Sequence, residues 1–185
     1  MAILKIARMG HPVLLREALA IDDPTAEAVQ RLVHDMAETM ADAEGIGLAA
    51  PQVYRSLRLI LFLDADERDG GSDRKPTVLI NPVIEPLDDQ IEPGWEGCLS
   101  IPGLRGVVPR YRRIGYRGLS PAGHAIEREA EGLHARVVQH EVDHLDGILY
   151  PMRMPDLSQL IFESEIKHFA AAHAPEEAEA VEAGT

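Results

Sequence analysis

The sequence predicts an α+β fold in one domain, with antiparallel or mixed β-sheets packed around a central helix, an N-terminal helix and a C-terminal helix. An amphipathic stretch comes first, short apolar strands separated by Gly and Pro turns follow, and a motif-bearing helix comes late. This order favours an α+β fold over alternating βαβ units. The 185 residues are enough for one core and contain no internal repeat, so we expect a single domain over residues 1–170.

The first helix is predicted to begin at Asp23-Pro24, where Asp caps the helix and Pro occupies its first turn. It should end near Glu44, because Gly45 follows. Apolar residues recur along it at helical spacing and are expected to face the core: Val29, Leu32, Val33, Met36 and Met40.

Four strands are predicted from short apolar runs that lie between turn residues. They cover residues 57–63, 77–84 with a break at Asn81-Pro82, 107–119 and 124–130. The polar segment 64–75 should be a loop. Frequent Gly and Pro predict turns rather than strands between residues 85 and 106.

Two helical stretches are predicted in the last third of the chain. The first runs from about Gly132 to Gly147 and is mostly apolar. The second begins at Pro155, and its apolar residues Phe162, Ile166 and Phe169 are expected to pack on the body of the protein. The tail, residues 171–185, is rich in Ala and Glu and is expected to be acidic and disordered.

Composition argues against several classes of function. The formal net charge of −13 disfavours binding to DNA or other nucleic acids, which requires neutralisation of phosphates. No apolar run is long enough for a membrane helix, and the N-terminus lacks the pattern of a secretory signal, so a cytoplasmic location is expected. Cys98 is the single cysteine, which excludes an intramolecular disulfide.

Six arginines stand close together in this acidic chain. The favoured interpretation is a solvated sheet face whose charges balance nearby carboxylates. The alternative is a surface that attracts an anionic group. These arginines are Arg105, Arg110, Arg112, Arg113, Arg117 and Arg128.

The segment His140-Glu141-Val142-Asp143-His144 carries the most specific chemical information. Residues four apart lie on one face of a helix, so His140 and His144 can direct two imidazoles at one metal ion. Glu141 is placed to exchange a proton with a water molecule at that ion. The pattern is typical of metal-assisted hydrolysis, but a third ligand is needed.

Three sources of the third ligand are considered. A metzincin extension would place a histidine at position 150, but Tyr150 stands there. A downstream carboxylate, Glu163 or Glu165, lies at a plausible separation. The upstream thiolate of Cys98 is a strong ligand for zinc or ferrous iron. Spacing alone does not decide between the carboxylates and the cysteine.

Three segments resemble the signature motifs of the peptide deformylases, and they occur in the same order. The first is Gly45-Ile46-Gly47-Leu48-Ala49-Ala50-Pro51-Gln52, the second is Glu96-Gly97-Cys98-Leu99-Ser100, and the third is Gln139-His140-Glu141-Val142-Asp143-His144. The resemblance extends from about Leu4 to Met154. It implies a hydrolase that removes the formyl group from the N-terminal formyl-methionine of new proteins and releases formate.

The resemblance also implies a role for each motif residue. Cys98, His140 and His144 are expected to hold one divalent metal ion, usually ferrous iron (Fe2+), with zinc, nickel or cobalt able to substitute. Glu141 is expected to transfer the proton between water and the leaving nitrogen. The Gln52 side chain and the Leu99 backbone N–H are expected to stabilise the developing oxyanion.

A peptide cleft beside the metal is implied in the same way. Backbone near Gly47 is expected to pair with the bound peptide, and an apolar pocket to take the methionine side chain. The residues expected to bind substrate are Gly45, Ile46, Gly47, Gly97, Arg105, Leu133 and Val137. N-formyl-methionyl nascent peptides are therefore the expected partners, and no membrane or DNA partner is expected.

The chain departs from the family pattern at two places. Tyr54-Arg55 follows Pro51-Gln52-Val53 where the family commonly has glycine, and this is expected to add bulk near the cleft entrance. Some bacterial relatives dock on the ribosome through a basic C-terminal helix. The acidic C-terminal region here argues against docking of that kind, although transient ribosome association is compatible with the sequence.

Two other functions are compatible with parts of the sequence. A thermolysin-like endopeptidase would use Glu163 or Glu165 as third ligand, but it assigns no role to Cys98. A deformylase-like domain that only binds metal or peptide N-termini is disfavoured because Glu141 is present.

Overall fold

The computed structural model describes residues 2–64 and 76–172. Within them the strands pair antiparallel in two sheets, of strand order β1-β2-β3-β6-β7 and β4-β5-β8. This confirms the predicted α+β fold. The helices are α1 (Glu27–Asp42), α2 (Gly132–Leu145) and α3 (Ile166–Ala172). The strands are β1 (Gly47–Ala49), β2 (Leu59–Phe62), β3 (Thr77–Pro86), β4 (Ile91–Cys98), β5 (Ile101–Tyr111), β6 (Arg113–Leu119), β7 (Ala125–Glu131) and β8 (Ile161–Phe162).

The five-stranded sheet lies between α1 and α2. Alternate residues of β2 point to opposite faces, as the two-residue period of a strand requires. Ile60 and Phe62 pack with the apolar side of α2, whereas Leu59 and Leu61 pack with α1. Both faces of β2 are therefore buried, which explains its continuous apolar sequence.

The three-stranded sheet covers the other side of α2. Ile101 and Val108 of β5 pack with Leu14 and Tyr150 from segments outside the sheets. The helix α2 thus stands between two sheets, as predicted for a central helix. Its position brings the helix against the end of β4, where Cys98 lies.

Helix α1 begins later than predicted. The side chain of Asp23 accepts hydrogen bonds from the backbone N–H of Thr25 at 2.8 Å and from its hydroxyl at 2.6 Å. Asp23 therefore stabilises a turn that precedes the helix, and α1 starts at Glu27. The predicted core face of α1 is confirmed, with Val33 only partly buried.

The prediction of one strand over residues 107–119 is wrong. The chain leaves the three-stranded sheet after Tyr111 and enters the five-stranded sheet at Arg113. The strands β4 and the first half of β5 occupy the region predicted as turns. Pro93 is tolerated because β4 is an edge strand. Gly94 and Gly106 make room for side chains of other elements and do not form turns.

The C-terminal helix is shorter than predicted from Pro155. The chain first forms 3-10 turns and the short strand β8, which pairs with β5, and α3 begins at Ile166. Phe169 packs edge-on against Trp95 as expected for a docked helix, but Phe162 is exposed. Helix α3 includes Ala171 and Ala172. The predictions for residues 65–75 and 173–185 lie outside the described residues.

The arginine cluster is mostly a solvated face, as the favoured interpretation held. Five of the six side chains are 40% to 55% exposed and each lies beside a carboxylate. Arg110 is the exception, because it is buried between Glu96 and Asp143. No helix within the two described ranges is long and apolar enough to cross a bilayer.

Candidate active site

Three ligand atoms converge where β4 meets α2. Cys98 ends β4 directly after an irregularity in its pairing with β5, and His140 and His144 lie one turn apart on α2. One donor atom from each residue lies within 4.8 Å of the other two, and Cys98 Sγ is 3.2 Å from His144 Nε2. One thiolate and two imidazoles form a donor set that suits zinc, iron, nickel or cobalt. The residues therefore fit a single divalent ion.

The downstream carboxylates do not join this group. Glu163 Oε1 accepts hydrogen bonds from Arg105 Nε at 3.2 Å and from Arg105 Nη2 at 2.8 Å. Glu165 is exposed. Tyr150, which excluded the metzincin pattern, stacks on His140 with ring centroids 6.1 Å apart. Among the described residues, the geometry thus favours Cys98 as the third ligand.

A buried charge network orients His140 from behind. His140 Nδ1 lies 2.8 Å from Glu96 Oε2, and Arg110 donates to both oxygens of Glu96 at 2.8 and 3.0 Å. Arg110 also donates one hydrogen bond to Asp143, and Asp143 accepts two more from Arg153. Carboxylates that hold the second nitrogen of a histidine fix its tautomer and ring orientation for metal binding. The sequence placed Glu96 in a motif but predicted no role for it.

Burial and hydrogen bonds give the two buried glutamates different pKa values. Burial alone would raise the pKa of Glu96, but hydrogen bonds from His140 and Arg110 lower it to about 2. Burial raises the pKa of Glu141 to about 7, although the charge of His140 opposes the rise. Glu96 is therefore a permanent anion, whereas Glu141 can gain and lose a proton near neutral pH.

Burial disfavours the charged form of both imidazoles, but their pKa values shift in opposite directions because their partners differ. Burial holds the pKa of His144 well below its ordinary value, and the nearby charges of His140 and Arg110 lower it further. Burial also disfavours the charged form of His140, but hydrogen bonds to Cys98 and Glu96 raise its pKa well above the ordinary value. A divalent ion bound here would require His140 in its neutral form, since only neutral imidazole binds a metal.

Glu141 lies against the backbone of the first motif. A Cβ at position 47 would overlap its carboxylate and come within 2.7 Å of its Cδ. Its Oε2 is buried and has no hydrogen-bond partner among the described residues. An unpaired buried oxygen of this kind is poised to bind a proton or a polar ligand. Gly47 itself is buried in β1. Its contact with Glu141 explains why glycine is needed at this position, independently of any pairing with a bound peptide.

The Gln52 side chain is held at both ends. Its Oε1 accepts a hydrogen bond from the Ala49 backbone N–H at 2.8 Å, which is the capping role of a structural residue. Its Nε2 lies 3.5 Å from Cys98 Sγ and 3.2 Å from Ser100 Oγ. The hydrogen bond from Ala49 fixes the orientation of the amide, and the contact of Nε2 with Cys98 directs its N–H donors at the ligand cluster. Leu99 follows Cys98 directly in the chain.

An open cavity of about 740 Å³ adjoins the ligand cluster. Most of the predicted substrate residues line it: Gly45, Ile46, Gly97, Arg105, Leu133 and Val137, together with Cys98, Leu99, His140 and Glu141. Gly47, Gln52 and His144 are buried and are not among the residues that line it. Tyr54 and Arg55 are not among the residues that line this cavity, and their expected effect near the cleft entrance stays a prediction. Tyr54 packs edge-on against His11 and has a left-handed backbone, with φ of 62°.

Several cavity residues were not predicted from the sequence. Arg8, Glu44, Trp95 and Arg136 also line it. Arg8 belongs to an N-terminal segment that joins two motifs, because Ala7 N–H donates to Gln52 and Met9 N–H donates to Ser100. Such contacts between distant segments have no periodic pattern, so inspection of the sequence could not find them.

The chain matches known proteins over most of its length. The family model described as polypeptide deformylase matches residues 3–160. The chain belongs to this family. Peptide deformylase 1 of Bordetella pertussis is 56% identical over 156 residues, which are 83% of this chain and 89% of the relative. The enzyme is therefore a metal-dependent hydrolase that removes N-terminal formyl groups.

Solved deformylase structures share the fold of this enzyme. Peptide deformylase from Thermotoga maritima is 36% identical with a TM-score of 0.76, and the match covers 84% of this chain and 100% of that one. A Met-Ala-Ser bound class I type b peptide deformylase from Acinetobacter baumannii is 34% identical with a TM-score of 0.75, covering 83% and 99%. The enzyme thus has the fold of the family as well as its motifs.

Proposed function

We propose that this deformylase acts on N-formyl-methionyl nascent peptides in the cytoplasm, with ferrous iron held by Cys98, His140 and His144. The observation that carries the proposal is the convergence of these three residues beside a buried Glu141 at the wall of an open cavity. Zinc, nickel and cobalt suit the same donors and are expected to substitute. A metal ion there supplies the Lewis acidity that makes water nucleophilic near neutral pH.

Glu141 is proposed to move the proton. Its raised pKa matches a group that must accept a proton from the attacking water and then return it to the leaving nitrogen. The carboxylate is held between the buried surface of α2 and Gly47, so its position is set before substrate binds. The water oxygen adds to the formyl carbon, the bond from that carbon to nitrogen breaks, and the products are formate and the free amine of methionine.

Gln52 and Leu99 are proposed to stabilise the oxyanion. The Ala49 N–H fixes one end of the Gln52 amide, which leaves its Nε2 donors directed at the ligand cluster. Donors that are fixed beforehand stabilise developing charge without reorganisation. Leu99 follows Cys98 in the chain, and its backbone N–H is proposed to donate to the same oxyanion.

The peptide is proposed to lie along the cavity. Backbone at Gly45, Ile46 and Gly47 would pair with the substrate on one side, and Gly97 and Arg105 would contact it on the other. Leu133 and Val137 lie on α2 beside His140 and are assigned to the pocket for the methionine side chain. Leu133 is 52% exposed, which is consistent with a surface that a ligand covers.

Ribosome contact through the C-terminal helix is not part of the proposal. Helix α3 carries one lysine, and Glu163 and Glu165 precede it. Phe169 packs against Trp95, and Glu163 forms an ion pair with Arg105. Ribosome co-sedimentation that is sensitive to salt and lost on deletion of α3 would contradict this view.

The test is to purify the protein without oxygen, determine its metal content and measure formate release from formyl-Met-Ala-Ser. We expect iron in near one-to-one ratio to protein, formate release, and loss of both in Cys98→Ala. Cleavage of internal peptide bonds without formate release would instead support an endopeptidase. A metal-loaded and fully active Cys98→Ala protein would contradict the ligand assignment.

A further inference from the structure

The face of α2 that meets the three-stranded sheet is polar. Arg136, Gln139, His140 and Asp143 follow one another at helical spacing, and each contacts β4 or β5. Gln139 donates to and accepts from the backbone of Tyr111. The opposite face is apolar and packs on the five-stranded sheet. Side-chain hydrogen bonds therefore hold together the two elements that supply the metal ligands, the helix for the histidines and β4 for Cys98.

Arg136 makes the widest set of these contacts. Its Nη1 donates to Val108 O at 2.7 Å, Glu96 Oε1 at 3.0 Å and Gly94 O at 3.3 Å, and its Nη2 donates to Glu92 O at 2.7 Å. One side chain thus joins α2 to both β4 and β5, one helical turn before His140. It also gives Glu96 a second cation beside Arg110.

Gly94 makes this arrangement possible. A Cβ at position 94 would lie 2.7 Å from Cζ and Nη2 of Arg136 and 2.9 Å from its Nε. The guanidinium therefore occupies the space that a side chain on β4 would fill. Its contacts with the carbonyls of Glu92 and Gly94 depend on that close approach.

We propose that Arg136, admitted by Gly94, is a positioning residue for the metal centre. It fixes Glu96, and through Glu96 the ring of His140, and it holds α2 at the distance from β4 that lets Cys98 and the histidines share one ion. The inference rests on the proposed metal site. Removal of groups that orient metal ligands typically lowers metal affinity about 10- to 100-fold.

The test uses the Co2+-loaded protein, with Co2+ release into excess chelator followed in the absence of peptide. We expect Arg136→Met and Gly94→Ala each to release Co2+ about 10- to 100-fold faster and to alter the visible spectrum of the bound ion. Arg136→Lys, which keeps the charge but not the planar fork, should fall between Arg136→Met and wild type. Arg113→Met is the matched control, since Arg113 is an exposed partner of Glu129 and Glu131.

A double variant separates positioning from general destabilisation. Once the guanidinium is gone, a methyl group at position 94 has nothing to displace, so Gly94→Ala/Arg136→Met should release Co2+ at the rate of Arg136→Met. Additive effects, or release at the wild-type rate in the single variants, would overturn the proposal. Wild-type protein that holds Co2+ but releases no formate would contradict the proposed reaction alone, because metal release is measured without substrate.

Discussion

The carboxylate of Glu141 rests against the α-carbon of Gly47, so closely that a methyl group on residue 47 would overlap it. The two residues come from different motifs, one on β1 and one on α2. Because Gly47 has no side chain, the Glu141 carboxylate can occupy this space. Gly47 also belongs to a buried strand paired with β2, so the strand itself cannot move away to relieve an overlap.

Gly47→Ala should accordingly reduce kcat by about 100-fold, because a shift of about 1 Å in a reacting group has that effect. Metal content should stay near that of the wild type, since the three atoms nearest a Cβ at position 47 all belong to Glu141 and not to a metal ligand. Gly115→Ala is the control, because a Cβ there meets Glu85 and Leu87 only at ordinary contact distance. Steady-state kinetics with metal analysis checks the prediction, and a Gly47→Ala enzyme of normal kcat would contradict it.

Glu141→Gln should abolish turnover and yet stabilise the metal-free protein. The folded pKa of Glu141 is about 7, against 4.5 in a free side chain. Between these values the folded protein holds a proton that the unfolded chain has lost, so stability falls as pH rises from 4.5 to 7. The difference corresponds to roughly 3 kcal/mol. Because Gln does not ionise, the Glu141→Gln protein avoids this fall in the free energy of unfolding.

Urea unfolding of the chelator-treated proteins measures the effect. At pH 8 the free energy of unfolding of Glu141→Gln should exceed that of wild type by up to roughly 3 kcal/mol, and the gap should narrow towards pH 5. His140 is present in both proteins, but the charge of Glu141 contributes to its raised pKa, so the comparison also includes the loss of that attraction. Equal free energies of unfolding of wild type and Glu141→Gln at pH 8 would show that the pKa of Glu141 is not raised in the folded protein.

The sequence indicates the three candidate ligands, which the structure brings together, more directly than it indicates their surroundings. His140 and His144 follow from helical spacing, and Cys98 is the single cysteine. The orientation of His140 depends on Glu96 and Arg110, which are brought together by pairing of β4 with β5 in a region of Gly and Pro that predicts turns. Arg110 belongs to a run of solvated arginines, and no local pattern distinguishes the buried one.

The ion pair of Arg105 with Glu163 predicts a preference among substrates. Both side chains line the cavity and are about half exposed. Glu163→Gln frees the charge of Arg105, so kcat/KM should rise about 2- to 5-fold for peptides with Asp or Glu after formyl-methionine and stay unchanged for formyl-Met-Ala-Ser. The gain should disappear at high salt.

Glu165→Gln is the matched control for this variant. Glu165 is two residues away and exposed, but it does not line the cavity. Its replacement removes the same charge from the same segment, so any effect of net charge alone would appear in both variants. Equal responses of the two variants, or a rise for neutral peptides as well, would refute the role of the ion pair.

Tyr54 occupies a backbone position that suits glycine. Its φ of 62° lies in the left-handed region, which costs a residue with a side chain about 1 kcal/mol or more. The edge-on contact with His11, at 4.9 Å between ring centroids, offsets part of this cost. Tyr54→Gly should therefore change the free energy of unfolding by less than about 1 kcal/mol, because relief of strain balances the lost contact.

Tyr54→Ala loses the same ring but keeps the strain, so it should be less stable than Tyr54→Gly by about 1 kcal/mol. Neither variant should alter kcat/KM for formyl-Met-Ala-Ser, because residue 54 lies outside the cavity. Thermal unfolding and steady-state kinetics of the two variants check both statements. If Tyr54→Gly instead raised kcat/KM severalfold, Tyr54 would obstruct the substrate after all.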